Sequence, residues 1–222
     1  MRKITIFILT FLCLTFFLSA CNKKDTLDNY VSELKSDVFI GESQTYSLKA
    51  SYGYKEHPFN HDGISAEKVY KLTIKIVKGV IDGANYTVCL TLNEKDFNSQ
   101  FKLDPVSNVH TASIEIDNFN LKEFDLTIQS ASKSETVKLK SIVPKNAITY
   151  SQALQSLSEK QKDLISNYTD ENGTFLGEIH ARILVKNEQP YWYIGLVSKD
   201  KNLKALLVDG LNGEVLAIRE VL

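Results

Sequence analysis

The chain has 222 residues, 43% of them hydrophobic and 24% charged, a composition that suits one large folded domain or two small ones. Its formal net charge is -1, so it lacks the basic excess that holds nucleic acid. No Gly-x-Ser-x-Gly elbow, Walker loop, His-Glu-x-x-His or Cys-x-x-Cys is present, and no carboxylate pair stands on an otherwise apolar background, so the sequence points away from an enzyme.

The first predicted element is an address. Residues 1–20 read MRKITIFILTFLCLTFFLSA: two positive charges, an apolar run from Ile4 to Leu18, then the small residues Ser19 and Ala20. That is the layout of a secretory signal peptide, and the run is shorter than the ~20 residues that cross a bilayer as a helix. The four residues Leu18-Ser19-Ala20-Cys21 resemble the lipobox of bacterial lipoproteins. The resemblance implies that the Cys21 thiol receives a diacylglyceryl group and becomes the new N-terminus. The protein would then be extracytoplasmic, anchored to the bacterial cell membrane by lipid. Stable anchoring takes more than one acyl chain, a requirement that a diacylglyceryl group meets. Without Arg2 and Lys3, 26 basic residues become 24 against 27 acidic ones, a balance of -3. Of the three cysteines, Cys13 leaves with the signal and Cys21 is acylated, so only Cys89 remains and no internal disulfide can form. Cys89 lies in the strand-like run YTVCLTL and reads as a small buried hydrophobe.

Residues 21–37 are mostly polar and read as a lipidated tether. From Val38 to Val143 the apolar period is two. Leu72, Ile74 and Ile76 alternate with Thr73 and Lys75; Val88, Leu90 and Leu92 share one face; Ile114 and Ile116, Phe124, Leu126 and Ile128, and Val137 and Leu139 repeat the pattern. Turn residues such as Asp82-Gly83 and Asp104-Pro105 separate the runs. One apolar face per strand predicts half-buried antiparallel sheets, and about seven strands over 38–143 predict a β-sandwich of immunoglobulin-like size. Residues 51–68, SYGYKEHPFNHDGISAEK, break the alternation and read as a loop. Tyr54, His57, Phe59, His61 and Asp62 within it are candidate ligand residues. Pro58 denies the helix that would align His57 with His61, so no metal site is expected.

Pro144 marks a boundary. Thr149 with Gln152 three residues on forms a capping-box pattern, and Tyr150, Leu154, Leu157, Gln161, Leu164 and Tyr168 then recur at helical spacing. The pattern predicts one amphipathic helix over 150–167. Three strand-like runs follow: EIHARILV, YWYIGLV, and the hairpin LKALLVD/GEVLAIREV around Leu211-Asn212-Gly213, where Asn-Gly supplies left-handed positions. The aromatic middle strand (Tyr191, Trp192, Tyr193), the apolar strand ending at Asp209 and the turn DGLNGEVL resemble the PepSY-like family of small α+β domains. The resemblance covers roughly residues 148–222, within a predicted domain over 146–222. It implies a non-catalytic module, without a cofactor, that binds or modulates another protein at the cell envelope. Asp209 itself reads as a turn carboxylate accepting backbone N–H groups.

Alternation divides the last strands into two faces. Trp192, Ile194 and Leu196 face the helix; His180, Arg182, Tyr191 and Tyr193 face away and are candidate partner-binding residues, since tyrosine and arginine are enriched in binding hot spots. The expected function is that of a lipid-anchored, non-catalytic envelope lipoprotein with a protein partner. The alternative is capture of a sugar, peptide or metal by the 51–68 loop.

Overall fold

The computed structural model describes residues 26–57, 66–79, 85–105, 107–130, 133–200 and 202–221. Cys21 and the leader lie outside them. A 3-10 turn at Leu27–Tyr30 leads into thirteen strands: β1 Val31–Glu42, β2 Ser47–His57, β3 Glu67–Lys78, β4 Thr87–Leu92, β5 Lys95–Gln100, β6 Lys102–Asp104, β7 Val109–Glu115, β8 Glu123–Gln129, β9 Ser134–Ser141, β10 Gly177–Lys186, β11 Gln189–Ser198, β12 Leu203–Asp209 and β13 Val215–Val221. Helices α1 (Tyr150–Lys160) and α2 (Lys162–Ser166) separate β9 from β10.

All the strands belong to one sheet. Its pairings are antiparallel except that between β1 and β10, where Leu34 lies beside Ala181 and Lys35 beside Arg182. Strand β1 is the hub. β2 runs along one of its sides from Glu33 to Glu42. On its other side the first half holds β10, while Phe39 and Ile40 pair with β9. Two arms therefore leave β1. One is β10–β11–β12–β13; the other is β9–β8–β4–β5. The second arm curls round with β2–β3–β7–β6 into a nearly closed barrel. Strand β5 comes close to β7 and runs on through Phe101 into β6, with the Phe101 amide donating to the Tyr86 carbonyl at 2.9 Å.

This overturns the expected architecture. A β-sandwich has two sheets that face each other without hydrogen bonds between them, whereas here the strands are joined edge to edge through β1. Nor do β10–β13 and α1 form a separate PepSY-like domain. The inner neighbour of β10 is β1, and the core beneath α1 includes Val31, Leu34, Val38 and Tyr54 from the first two strands. Residues 31–37, expected as tether, belong to the central strand, and Val31 is wholly buried.

A register shift explains why β1 escaped the alternation pattern. Between Lys35 and Asp37 the pairing with β2 slips by one residue. The extra residue swaps parity, so Leu34 before it and Phe39 after it both enter a core. Leu34 joins the helix-covered core; Phe39 enters the barrel, where its ring meets Phe119 at 5.9 Å and Phe124 at 5.1 Å between centroids. Tyr52 and Tyr54 divide in the same way on β2, and Tyr70 packs against both cores.

Helix α1 starts as its capping box dictates. The Thr149 hydroxyl accepts from the Gln152 amide at 3.2 Å, and the Gln152 side chain accepts from the Thr149 amide at 2.8 Å. Its buried stripe is Ala153, Leu154 and Leu157, and the expected single helix breaks at Gln161 (φ -124°, ψ 44°), where the stripe carries a polar residue. Trp192 lies under the helix start and donates its indole N–H to the Ile148 carbonyl at 2.9 Å. The last hairpin also differs from expectation: of Asn212 and Gly213 only Gly213 is left-handed (φ 72°). Asp209 closes that turn, accepting from the amides of Leu211 (2.7 Å) and Asn212 (3.2 Å). The Ser156 hydroxyl of α1 donates to the Gly213 carbonyl at 2.6 Å and docks the turn on the helix.

Candidate functional site

Because one sheet spans both cores, its outer face is continuous as well. The register defines a lateral row across eight strands: Glu115, Lys71, Gly53, Lys35, Arg182, Tyr193, Leu207 and Ala217. The inner row beside it is Tyr70, Tyr54, Leu34, Ala181, Ile194 and Leu206. These inner residues lie in the core, and the outer row presents charge and aromatic surface.

At the centre of the outer face is a charged cluster. Glu33, 8% exposed, accepts from Arg182 Nη2 at 2.9 Å, with Lys35 Nζ at 3.5 Å from the same oxygen. Burial pushes the Glu33 carboxyl up, but Arg182, Lys35, His180 and Lys55 outweigh it and hold it below the usual value. The Lys35 ammonium is held below its usual value by burial, partly offset by Glu33, with Arg182 adding to the depression. The Arg182 guanidinium lies 5.9 Å from the centre of the Tyr193 ring, within cation–π range. Lys71 pairs with Glu115 at 3.0 Å on the other flank.

Between these groups runs a groove of about 340 Å³, lined by Lys35, Lys55, Lys71 and Arg182 with the hydroxyls of Ser51 and Thr73 around Gly53. Gly53 is required there, since a Cβ would fall on the carbonyl oxygen of Leu34 where β1 bends. The bare backbone leaves the floor of the groove open. A second cleft of about 610 Å³ lies where β5 diverges from β7, lined by Tyr70, Leu92, Phe97 and Ile116 with Glu67, Glu115 and Asp117.

Of the residues singled out from the sequence, His180 and Arg182 on β10 and Tyr191 and Tyr193 on β11 do share this outer face: Arg182 is paired with Tyr193, and Leu184 with Tyr191. Of the ligand-loop residues only Tyr54 and His57 are described, and both lie on a strand rather than in a loop. Residues 51–57 are the second part of strand β2, and Tyr54 faces the core, 6% exposed, its hydroxyl donating to the Val31 carbonyl at 3.3 Å. His57 ends β2 opposite Glu67. Phe59, His61 and Asp62 lie outside the described residues. Sequence reasoning missed Glu33, Lys35, Gly53, Lys55 and Lys71. The first two sat in the supposed tether. Gly53 and Lys55 fell in the supposed 51–68 loop, Lys71 is an ordinary outward residue of a strand, and nothing local marks any of them as a neighbour of Arg182.

Among the described residues no cluster of three His, Cys, Asp or Glu side chains could hold a metal ion, and no helix is long and apolar enough to cross a membrane. No family model, curated protein or solved structure matches the chain. The arrangement suits recognition: fixed cations, one carboxylate that orients two of them, and half-exposed tyrosines on a rigid sheet.

Proposed function

We propose that this chain is a lipid-anchored lipoprotein of the bacterial cell envelope that binds a protein partner, without catalysis, through the outer face of β10 and β11. The anchor rests on the Leu18-Ser19-Ala20-Cys21 motif at the end of an apolar leader. The partner surface rests on one structural observation. Among the described residues the barrel extends the sheet sideways through β1 rather than lying across the face that carries Tyr191, Tyr193 and Arg182. Arginine and tyrosine on a pre-ordered strand lose little entropy on contact, which is why such residues dominate interface energies.

Two measurements test this reading. A fatty-acid probe should label the wild-type protein and spare Cys21→Ser; equal labelling of the two removes the anchor. A photo-crosslinking side chain at position 191 should give a discrete adduct in intact cells, and one at position 77, where Val77 is 65% exposed on the barrel, should not. The same adduct pattern from both positions, or none from 191, rejects the surface.

A further inference from the structure

The groove around Gly53 goes beyond partner binding and depends on neither the lipid anchor nor Tyr191. We infer that it is a site for a phosphate-type oxyanion, a multiply charged tetrahedral group held by Lys35, Lys55, Lys71 and Arg182 with the hydroxyls of Ser51 and Thr73.

Convergence is the first reason. The four cations come from four adjacent strands, β1, β2, β3 and β10, and meet around one cavity. Ordinary surface design intersperses signs, and a rigid sheet does not gather like charges without cost. Glu33 is the one carboxylate among the lining residues, and Glu115, outside the groove, pairs with Lys71 at 3.0 Å, so the four cations still outnumber the carboxylates that touch them. It lies beneath Arg182 and Lys35, 8% exposed, and so acts as their positioner rather than as a cap on the cavity. Lys75, paired with Lys49 on the same face, is a further positive neighbour of Lys35.

The chemistry of the lining selects the ligand. Ammonium groups are compact point charges that suit phosphate, and Arg182 adds a planar fork. Ser51 and Thr73 are neutral donors paired across β2 and β3, able to reach oxygens that the cations leave. Much of the lining is apolar, from Leu34, Val69, Tyr54 and the stems of the lysines, so the ligand is chosen by the charged ends and hydroxyls that converge on the groove. An anion placed there would also offset the mutual repulsion of Lys35 and Arg182.

The test uses the full chain in detergent, titrated with sodium pyrophosphate and with inorganic phosphate at constant ionic strength. Binding is read by calorimetry and by backbone amide shifts. Both anions should bind, pyrophosphate more tightly, with shifts centred on Ser51, Gly53, Lys71 and Thr73. Lys55→Ala combined with Lys71→Ala should weaken pyrophosphate binding by about tenfold or more, as loss of two charge-assisted contacts would. Lys95→Ala, on β5, should leave it unchanged. A further arm compares vesicles of phosphatidylglycerol with vesicles of phosphatidylcholine. Binding to phosphatidylglycerol alone, competed by pyrophosphate, assigns the oxyanion to a lipid headgroup. Binding of the free anions without vesicle binding assigns it to a soluble phosphate. Three results overturn the site: sodium chloride or citrate matching pyrophosphate, shifts centred elsewhere, or unchanged affinity in the double variant.

Discussion

Leu34→Ala tests whether the protein is one cooperative unit built on β1. Leu34 is 6% exposed and belongs to the helix-covered core, on the strand that also sends Phe39 into the barrel. Truncating a buried leucine to alanine costs about 2–5 kcal/mol, the lost transfer energy plus the cavity left behind. The site collapses poorly, because its strand neighbours Tyr54 and Ala181 are held by pairing on both sides. A loss of about 3 kcal/mol, at roughly 2–4 °C per kcal/mol for a chain of this size, lowers the melting temperature by about 6–12 °C. The assay uses two reporters. Fluorescence of the single tryptophan, Trp192, follows the helix-covered core, and hydrogen exchange in β8 and β9 follows the barrel. Because β1 is hydrogen-bonded to β10, β2 and β9, both reporters should shift together by the same amount. A shift in Trp192 fluorescence with no change in the β8 and β9 midpoint would refute the shared-strand reasoning and restore two independent units.

Two more outcomes follow from the same geometry. The fragment 146–222 removes β1 from the open edge of β10 and strips Val31, Leu34, Val38 and Tyr54 from the core, so its amide spectrum should be collapsed; a dispersed spectrum would contradict this. The second concerns pH. The folded Glu33 carboxyl sits below its ordinary 4.5, so its stabilising contribution is complete above that value and is lost as pH falls through the folded one. Glu33→Gln should therefore flatten the decline in melting temperature below about pH 4.5, and an acid limb identical to wild type would show that the Glu33–Arg182 pair contributes nothing. Lys35 is depressed as well, and by the same linkage stability rises as pH climbs from its folded value toward 10.5.

Much of the local structure was legible in the chain itself. Alternation placed Leu72, Ile74, Leu126, Ile128, Val137 and Leu139 inward, and all six are buried in the barrel. The Thr149–Gln152 pair started α1 where expected, and Asp209 closes its turn by accepting backbone amides. Which face of β10 and β11 would be apolar was also readable, because a strand's two faces are set by parity alone. The neighbours of each strand were not readable. The parallel contact between Val31–Lys35 and Ile179–Arg182 joins segments far apart in the chain, and no residue pattern within either segment names the other. The register shift at Lys35/Asp37 hid β1 by breaking its period. Once β1 is placed, Lys35, Gly53, Lys71 and Arg182 fall into one row. Sequence by itself determined which side chains face inward wherever alternation is unbroken, as in β3, β8, β9, β10 and β11, since the pleat acts over two residues. Only the tertiary structure decided which outward side chains meet, since strand pairing is settled by the burial of two cores at once.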